Sequence, residues 1–264
     1  VERRGPGPSF IGTRQAETGS AETVNYARVR RTQGTIRKGR KGEPMSLDTE
    51  EHVRQTWGSH IPVLQAIMEI IKPKNVIECG CGRYSTPIIS HHADSIVTIE
   101  HDPVWGKEVK KDFEGVDKHG WIVYPFAGVS NSTRRPDVGE TALANIDHFY
   151  ETLRPSHIDF LFVDTFTCAR VPAMLHLSEY ADLILLHDLE GGSPEHYNYE
   201  LLGDTFDEWH RYRHAPEGFV NKTHQIPWTD LFSREPLDVE RLNRTVKQAS
   251  LWLFGTYAEL EEID

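Results

Sequence analysis

The run Val76-Ile77-Glu78-Cys79-Gly80-Cys81-Gly82-Arg83-Tyr84-Ser85-Thr86-Pro87 reads as a strand, a glycine turn and a helix start. Glycines at 80 and 82 let main-chain N–H groups come close to a ligand, and a helix N-terminus favours the ligand's negative groups. Ser85 or Thr86 can cap that helix, with Pro87 in its first turn. Glu78 precedes the first glycine by two residues, where a strand-end carboxylate can accept from an ammonium group. Further on, Asp164 follows the apolar run Phe160-Leu161-Phe162-Val163, and His187 and Asp188 follow Leu183-Ile184-Leu185-Leu186. Acids and a histidine at such ends can hold a divalent cation or take a proton from a hydroxyl.

The elements that must position these groups follow from periodicity. Leu64, Ile67, Met68 and Ile71 recur at the spacing of one buried helical face, with Ser59 as the expected cap, Pro62 in the first turn and Lys72-Pro73-Lys74 as the stop. Strands are expected at 75–79, 95–100, 121–124, 158–164 and 183–187. Helices are expected near 86–92, 104–113, 141–153 and 171–180. This alternation specifies a parallel sheet, and the runs at 160–163 and 183–186 are apolar on both faces, as central strands covered from both sides must be. A helix at about 196–212, a loop-rich stretch to Pro236, a helix near 239–247 and a last strand at 250–257 complete the reading.

Two cofactors use such a glycine turn. A dinucleotide fingerprint wants a third glycine where this chain has Ser85. S-adenosylmethionine offers both a carboxylate and an ammonium, which suits an acid ahead of the glycines. Glu78-x-Gly80-x-Gly82 resembles motif I of the class I S-adenosylmethionine-dependent methyltransferases. Glu100, in Thr98-Ile99-Glu100-His101-Asp102, matches their second acidic position. The resemblance covers residues 61–189 in order. It implies a doubly wound α/β fold with a mostly parallel seven-stranded, Rossmann-like sheet and an antiparallel C-terminal strand. It further implies S-adenosylmethionine bound by Glu78, Gly80, Gly82, Ser85 and Glu100, the last of these on the ribose hydroxyls. Ala127-Gly128-Val129-Ser130 departs from the family, many of whose members carry an acid there for the adenine amino group.

Phe162-Val163-Asp164 and Leu186-His187-Asp188 resemble the metal-binding strand ends of the catechol O-methyltransferase-like branch and related natural-product O-methyltransferases. On that pattern Asp164 and Asp188 hold a divalent cation, magnesium or another, and Asp164, His187 and Asp188 form the catalytic group. His187 stands where that branch has an acid. A hard magnesium ion prefers oxygen, so a softer ion, or a metal-free site with His187 as base, stays open. Structural readings stand beside these: Glu78 as a cap or ion-pair partner, His187 as a core histidine, Asp188 as a cap of the turn at Gly191-Gly192, Asp102 as a helix cap, and Cys79 and Cys81 as packing residues. Segments 130–141 and 190–236, with Tyr197, Tyr199, Trp209 and Trp228, are expected to shape the acceptor pocket.

Composition bounds the rest. The chain has 264 residues, net charge −11 and 38% hydrophobic residues, enough for one large domain. Residues 1–41 carry ten Lys or Arg against three Glu, about +7, while 42–264 carry 19 basic against 37 acidic residues, about −18. Residues 1–44 therefore read as an extended basic arm and 45–264 as the methyltransferase domain. The arm can hold nucleic acid, contact a second copy of the chain, or stay solvated. Three cysteines form no even disulfide framework, no run is long enough to cross a bilayer, and no apolar stretch follows the basic start. A soluble, cytoplasmic enzyme acting on a hydroxyl of a small-molecule acceptor is the first expectation. A nucleic-acid methyltransferase guided by the arm is the second, and a non-catalytic binding or assembly protein the third.

Overall fold

A computed structural model describes residues 58–126, 129, 138–188, 197, 199–215, 229–254 and 259–263. The arm, the Ala127–Ser130 departure except Val129, Trp228 and the Gly191-Gly192 turn lie outside the described residues. Eight strands form one sheet in the order β3-β2-β1-β4-β5-β7-β6-β8. They are β1 Asn75–Cys79, β2 Ser95–Glu100, β3 His119–Val123, β4 Phe160–Val163, β5 Leu183–His187, β6 His210–His214, β7 Thr229–Ser233 and β8 Leu260–Ile263. The first five are parallel. β7 lies antiparallel between β5 and β6, and β8 runs antiparallel along β6. This is the doubly wound, mostly parallel α/β sheet expected, with eight strands in place of seven.

Side-chain alternation builds a core on each face. Along β4, Leu161 and Val163 enter one apolar cluster while Phe160 and Phe162 enter the other; along β5, Ile184 and Leu186 part from Leu183 and Leu185 in the same way. Successive strand residues point to opposite faces, so strands apolar throughout are covered on both sides. Helix α1 (Ile61–Ala66), continued by a π-helical turn at Ile67–Ile71, packs on one face beside α6 (Val239–Phe254). Helices α4 (Glu140–Thr152) and α5 (Thr167–Leu177) cover the other. The short α2 (Ser85–His92) and α3 (Pro103–Lys110) connect β1 to β2 and β2 to β3.

Three sequence expectations are corrected. The stretch read as a helix at 196–212 contains a 3₁₀ segment, Tyr199–Phe206, interrupted at Gly203 (φ 47°), and then strand β6, whose period-two pattern buries Tyr212 and His214. Of the residues read as the last strand, 250–257, those at 250–254 belong to α6 instead. Leu242, Val246 and Ala249 fall on its buried side at helical spacing while Leu251 is exposed. The strand inserted antiparallel in the sheet is β7, from the stretch read as loop. Among the described residues no helix is long and apolar enough to cross a membrane.

Candidate functional site at the carboxyl ends of the strands

The strand order reverses between β1 and β4, and open α/β sheets bind ligands beyond the carboxyl ends at such a point. Here Gly80 leaves β1 with φ 90°. Its N–H donates to Ile99 O (2.8 Å), while the Asp164 N–H donates to Cys79 O (2.9 Å). A Cβ on Gly80 would lie 2.3 Å from the Asp164 carbonyl oxygen. The first glycine is therefore required by the close pass of the chain leaving β4. The Gly82 N–H donates to Thr86 Oγ1 (2.9 Å) and that of Cys81 to Glu100 Oε2 (3.0 Å). The three successive amides of the turn all reach protein acceptors, so the expectation that they cradle an anion does not hold in this conformation.

Glu78 does not open into the cleft either. It is 0% exposed, and its carboxyl group is enclosed by the hydroxyls of Ser85 (2.9 Å), Thr86 (2.9 Å to each oxygen) and Thr98 (2.9 Å). Burial pushes its pKa up to about 8, against the pull of those hydroxyls. A mostly neutral, enclosed acid is a poor acceptor for an ammonium. Glu78 and Ser85, expected to bind the cofactor, instead tie β1, β2 and the start of α2 together.

Glu100, at the tip of β2, is organised differently. Its Oε1 accepts from the N–H groups of His101 and Asp102 (both 2.8 Å), and its Oε2 accepts from the N–H and thiol of Cys81 (3.0 and 3.2 Å). Burial disfavours the charge, but these donors and the His101 ring outweigh it and hold the carboxyl below its usual range. The His101 ring lies 4.1 Å from that of Phe166, centroid to centroid, with Nδ1 3.0 Å from Glu100 Oε1. Its buried Nε2 has no hydrogen-bond partner among the described residues. Asp102 caps α3, as expected, by accepting from Val104 N and Trp105 N.

The ends of β4 and β5 converge as the sequence implies. His187 Nδ1 lies 3.2 Å from Asp164 Oδ1, and Nε2 lies 3.3 Å from Asp188 Oδ1. Asp188 holds a left-handed φ of 60°, a conformation uncommon for a residue with a side chain. The sequence reading missed the group that joins them, Arg170 of α5. One of its nitrogens donates to Asp164 Oδ1 (3.0 Å) and Asp188 Oδ2 (3.1 Å), another to the His187 carbonyl, and Nε to Thr165 O (2.7 Å). Its guanidinium lies over the Tyr197 ring at 4.8 Å. An arginine within the otherwise apolar run Cys168–Leu175 was the available signal, since such a charge is buried only when paired. This corrects the metal expectation: Asp164 and Asp188 are already joined through a cation, which would repel a divalent ion placed between them.

Two further residues were missed or misread. Ser59 does not cap α1; His60 occupies that position without a side-chain cap, and Ser59 Oγ lies 2.7 Å from His187 Nε2. His60 packs between Phe162 and His187, with ring centroids 5.2 and 4.4 Å away. Burial, then the neighbouring His187, lowers its pKa to about 3, so the ring is neutral. For His187 burial works against the charged ring, but Asp188 and Asp164 outweigh it and raise the pKa. Cys79, Cys81 and Cys168 are buried and take part in no disulfide.

No family model and no curated protein matches the chain by sequence. Among solved structures it is similar to N-methyltransferase NodS from Bradyrhizobium japonicum WM9, at 11% identity and TM-score 0.48, over 72% of this chain and all of that one. An rRNA methylase from Streptococcus thermophilus aligns at 8% identity and TM-score 0.45, over 66% of this chain and 94% of that one. SMU.1697c from Streptococcus mutans, solved with SAH, aligns at 10% identity and TM-score 0.44, over 64% and 94%.

Proposed function

We propose that the chain transfers the methyl group of S-adenosylmethionine to a hydroxyl of a small-molecule acceptor. The observation that carries this reading is the ionised Glu100 against the glycine turn, at the point where the strand order reverses. A ribose diol needs an acceptor-only group, and Glu100 is one. The Cys81 thiol, a weak donor, is the contact a sugar hydroxyl would replace, and the His101 ring, whose Nε2 has no hydrogen-bond partner among the described residues, lies against the same carboxyl group. The ribose end of the cofactor thus fits the residues present. Glu78 does not fit the ammonium, and no residue is assigned to that end.

The bound cofactor supplies an electrophilic methyl group on sulfur. The chain's task is to orient the acceptor oxygen and remove its proton. Asp164 and Asp188, with side chains 26% and 23% exposed, can touch an acceptor, whereas His187 at 4% cannot without rearrangement. Arg170 and His187 fix both carboxylates, so the hydroxyl proton passes to an oxygen already oriented. Tyr197 and Tyr199, stacked at 5.2 Å, stand near Arg170 and offer aromatic surface to the acceptor.

Calorimetry with S-adenosylhomocysteine is expected to give saturable binding, and Asp188→Asn to keep that binding while losing methyl transfer. Binding of NAD in its place would overturn the reading. The basic charge of residues 1–41 favours a second reading, with nucleic acid as the acceptor. Only that reading expects RNA affinity that falls steeply with salt and disappears when the arm is deleted.

A further inference from the structure

Beyond methyl transfer, and sharing Asp164 and His187 with the acceptor site of that reading, we propose that His60, Asp164 and His187 form a binding site for a borderline divalent metal ion such as zinc. Each offers one ligand atom, and the three atoms lie within 4.8 Å of one another. They come from three separate elements: the residue before α1, the tip of β4 and the tip of β5. This is a different donor set from the Asp164–Asp188 pair that the sequence suggested, and it differs in chemistry. Two imidazoles and one carboxylate suit zinc, cobalt or iron(II), where two carboxylates would suit magnesium.

His60 supplies the independent observation. The residue is 3% exposed, and neither ring nitrogen has a hydrogen-bond partner among the described residues. A buried polar atom left unpaired loses its hydration without compensation, and here there are two on one ring. Its pairing with Phe162 and His187 gives the ring body a packing role but satisfies neither nitrogen. An ion beside Asp164 and His187 would satisfy one.

The His187–Asp164 geometry suits a shared ion. His187 Nδ1 faces Asp164 at 3.2 Å, and an ion bound at about 2.0–2.1 Å would take the place of the proton that now joins them. The other ring nitrogen of His187 is held by Ser59 Oγ at 2.7 Å, as ligating histidines are commonly oriented through their second nitrogen. Arg170 donates to Asp188 Oδ2 and, beside His187, to Asp164 Oδ1, so among the described residues Oδ2 is the Asp164 oxygen without a side-chain hydrogen bond and the one that would meet the ion. The two aspartates and one arginine sum to a single negative charge, which favours a cation.

The test uses the full chain, stripped with a chelator and titrated with cobalt(II) while the visible absorption of the ion is followed. One equivalent is expected to bind and to be displaced by zinc, with affinity falling about a hundredfold in His60→Ala and in the bulkier replacement His60→Gln. His157→Ala is expected to bind as the parent does, because the exposed group His157, Asp159 and Asp182 is the other set of suitably close ligand atoms among the described residues. X-ray absorption of the zinc-loaded parent protein should show two imidazoles on the ion, a readout that needs no variant to fold. No binding, unchanged affinity in both His60 variants, loss confined to His157→Ala, or fewer than two imidazoles would each overturn the proposal.

Discussion

Glu78 and Glu100 stand at the ends of neighbouring parallel strands, each almost wholly buried, and their surroundings push them in opposite directions. The difference lies in the donors. Hydroxyls surround Glu78, and a hydroxyl can donate to a carboxylate or turn and accept from a carboxylic acid. Thr98 can therefore accept a hydrogen bond from a neutral Glu78 and donate one onward to His119 Nε2, 2.7 Å away. Burial keeps the His119 ring neutral, with its pKa lowered to about 4, so it can accept. Main-chain N–H groups hold Glu100, and these can only donate. Hydroxyl surroundings tolerate a neutral acid as part of the scaffold; amide surroundings require an anion and so preserve one for a ligand.

The largest effect is expected where the backbone itself keeps the two strand tips together. Gly80→Ala puts a Cβ 2.3 Å from the Asp164 carbonyl at a φ of 90°, a clash with main chain that no rotamer relieves. A loss of roughly 4 kcal/mol in urea unfolding, or no folded protein, is expected; a loss below about 1 kcal/mol would mean that β4 does not pass so closely. Next comes Glu100→Gln. At least one of the N–H groups now facing a carboxylate oxygen would meet an NH₂ donor, and a cost of about 2–4 kcal/mol is expected by the same measurement. A neutral result would remove the contrast between the two acids.

Much of this arrangement is legible in the residues alone, and the limit is physical. β4 and β5 show themselves because a strand covered on both faces is apolar nearly throughout. The glycine turn shows itself because only glycine tolerates the close approach. By contrast, β6 alternates polar and aromatic residues just after Leu202, Phe206 and Trp209, whose spacing imitates a helix, and the break at Gly203 is silent in that pattern. Ser59 looks like a cap from its local context, yet its hydroxyl meets His187, 128 positions away. Arg170 carries a visible signal, a charge in an apolar helix, but its two partners can be identified only once β4 and β5 are paired. The strand tips that carry chemistry were therefore readable as addresses, while the partners that set their charge were not.

The smallest effect near pH 5, and the one that sharpens the contrast most as pH rises, is expected from Glu78→Gln. The folded-state pKa of Glu78 is raised from 4.5 to about 8, so between those limits the native protein keeps a proton that the unfolded chain has lost. Stability from this group is fully present below about pH 4.5 and declines as pH rises towards 8, by about 1.4 kcal/mol per pH unit. Glutamine resembles the neutral acid in shape and carries no ionisation in either state. Near pH 5 the variant should therefore lie within about 1 kcal/mol of the parent, and between pH 5 and 8 the difference should move steadily in favour of the variant. Urea midpoints of both proteins, measured at half-unit intervals of pH, report that difference free of the other titrating groups they share. A difference that stays constant over the range would mean that Glu78 is ionised in the folded protein, held as an anion by its hydroxyls just as Glu100 is held by its amides.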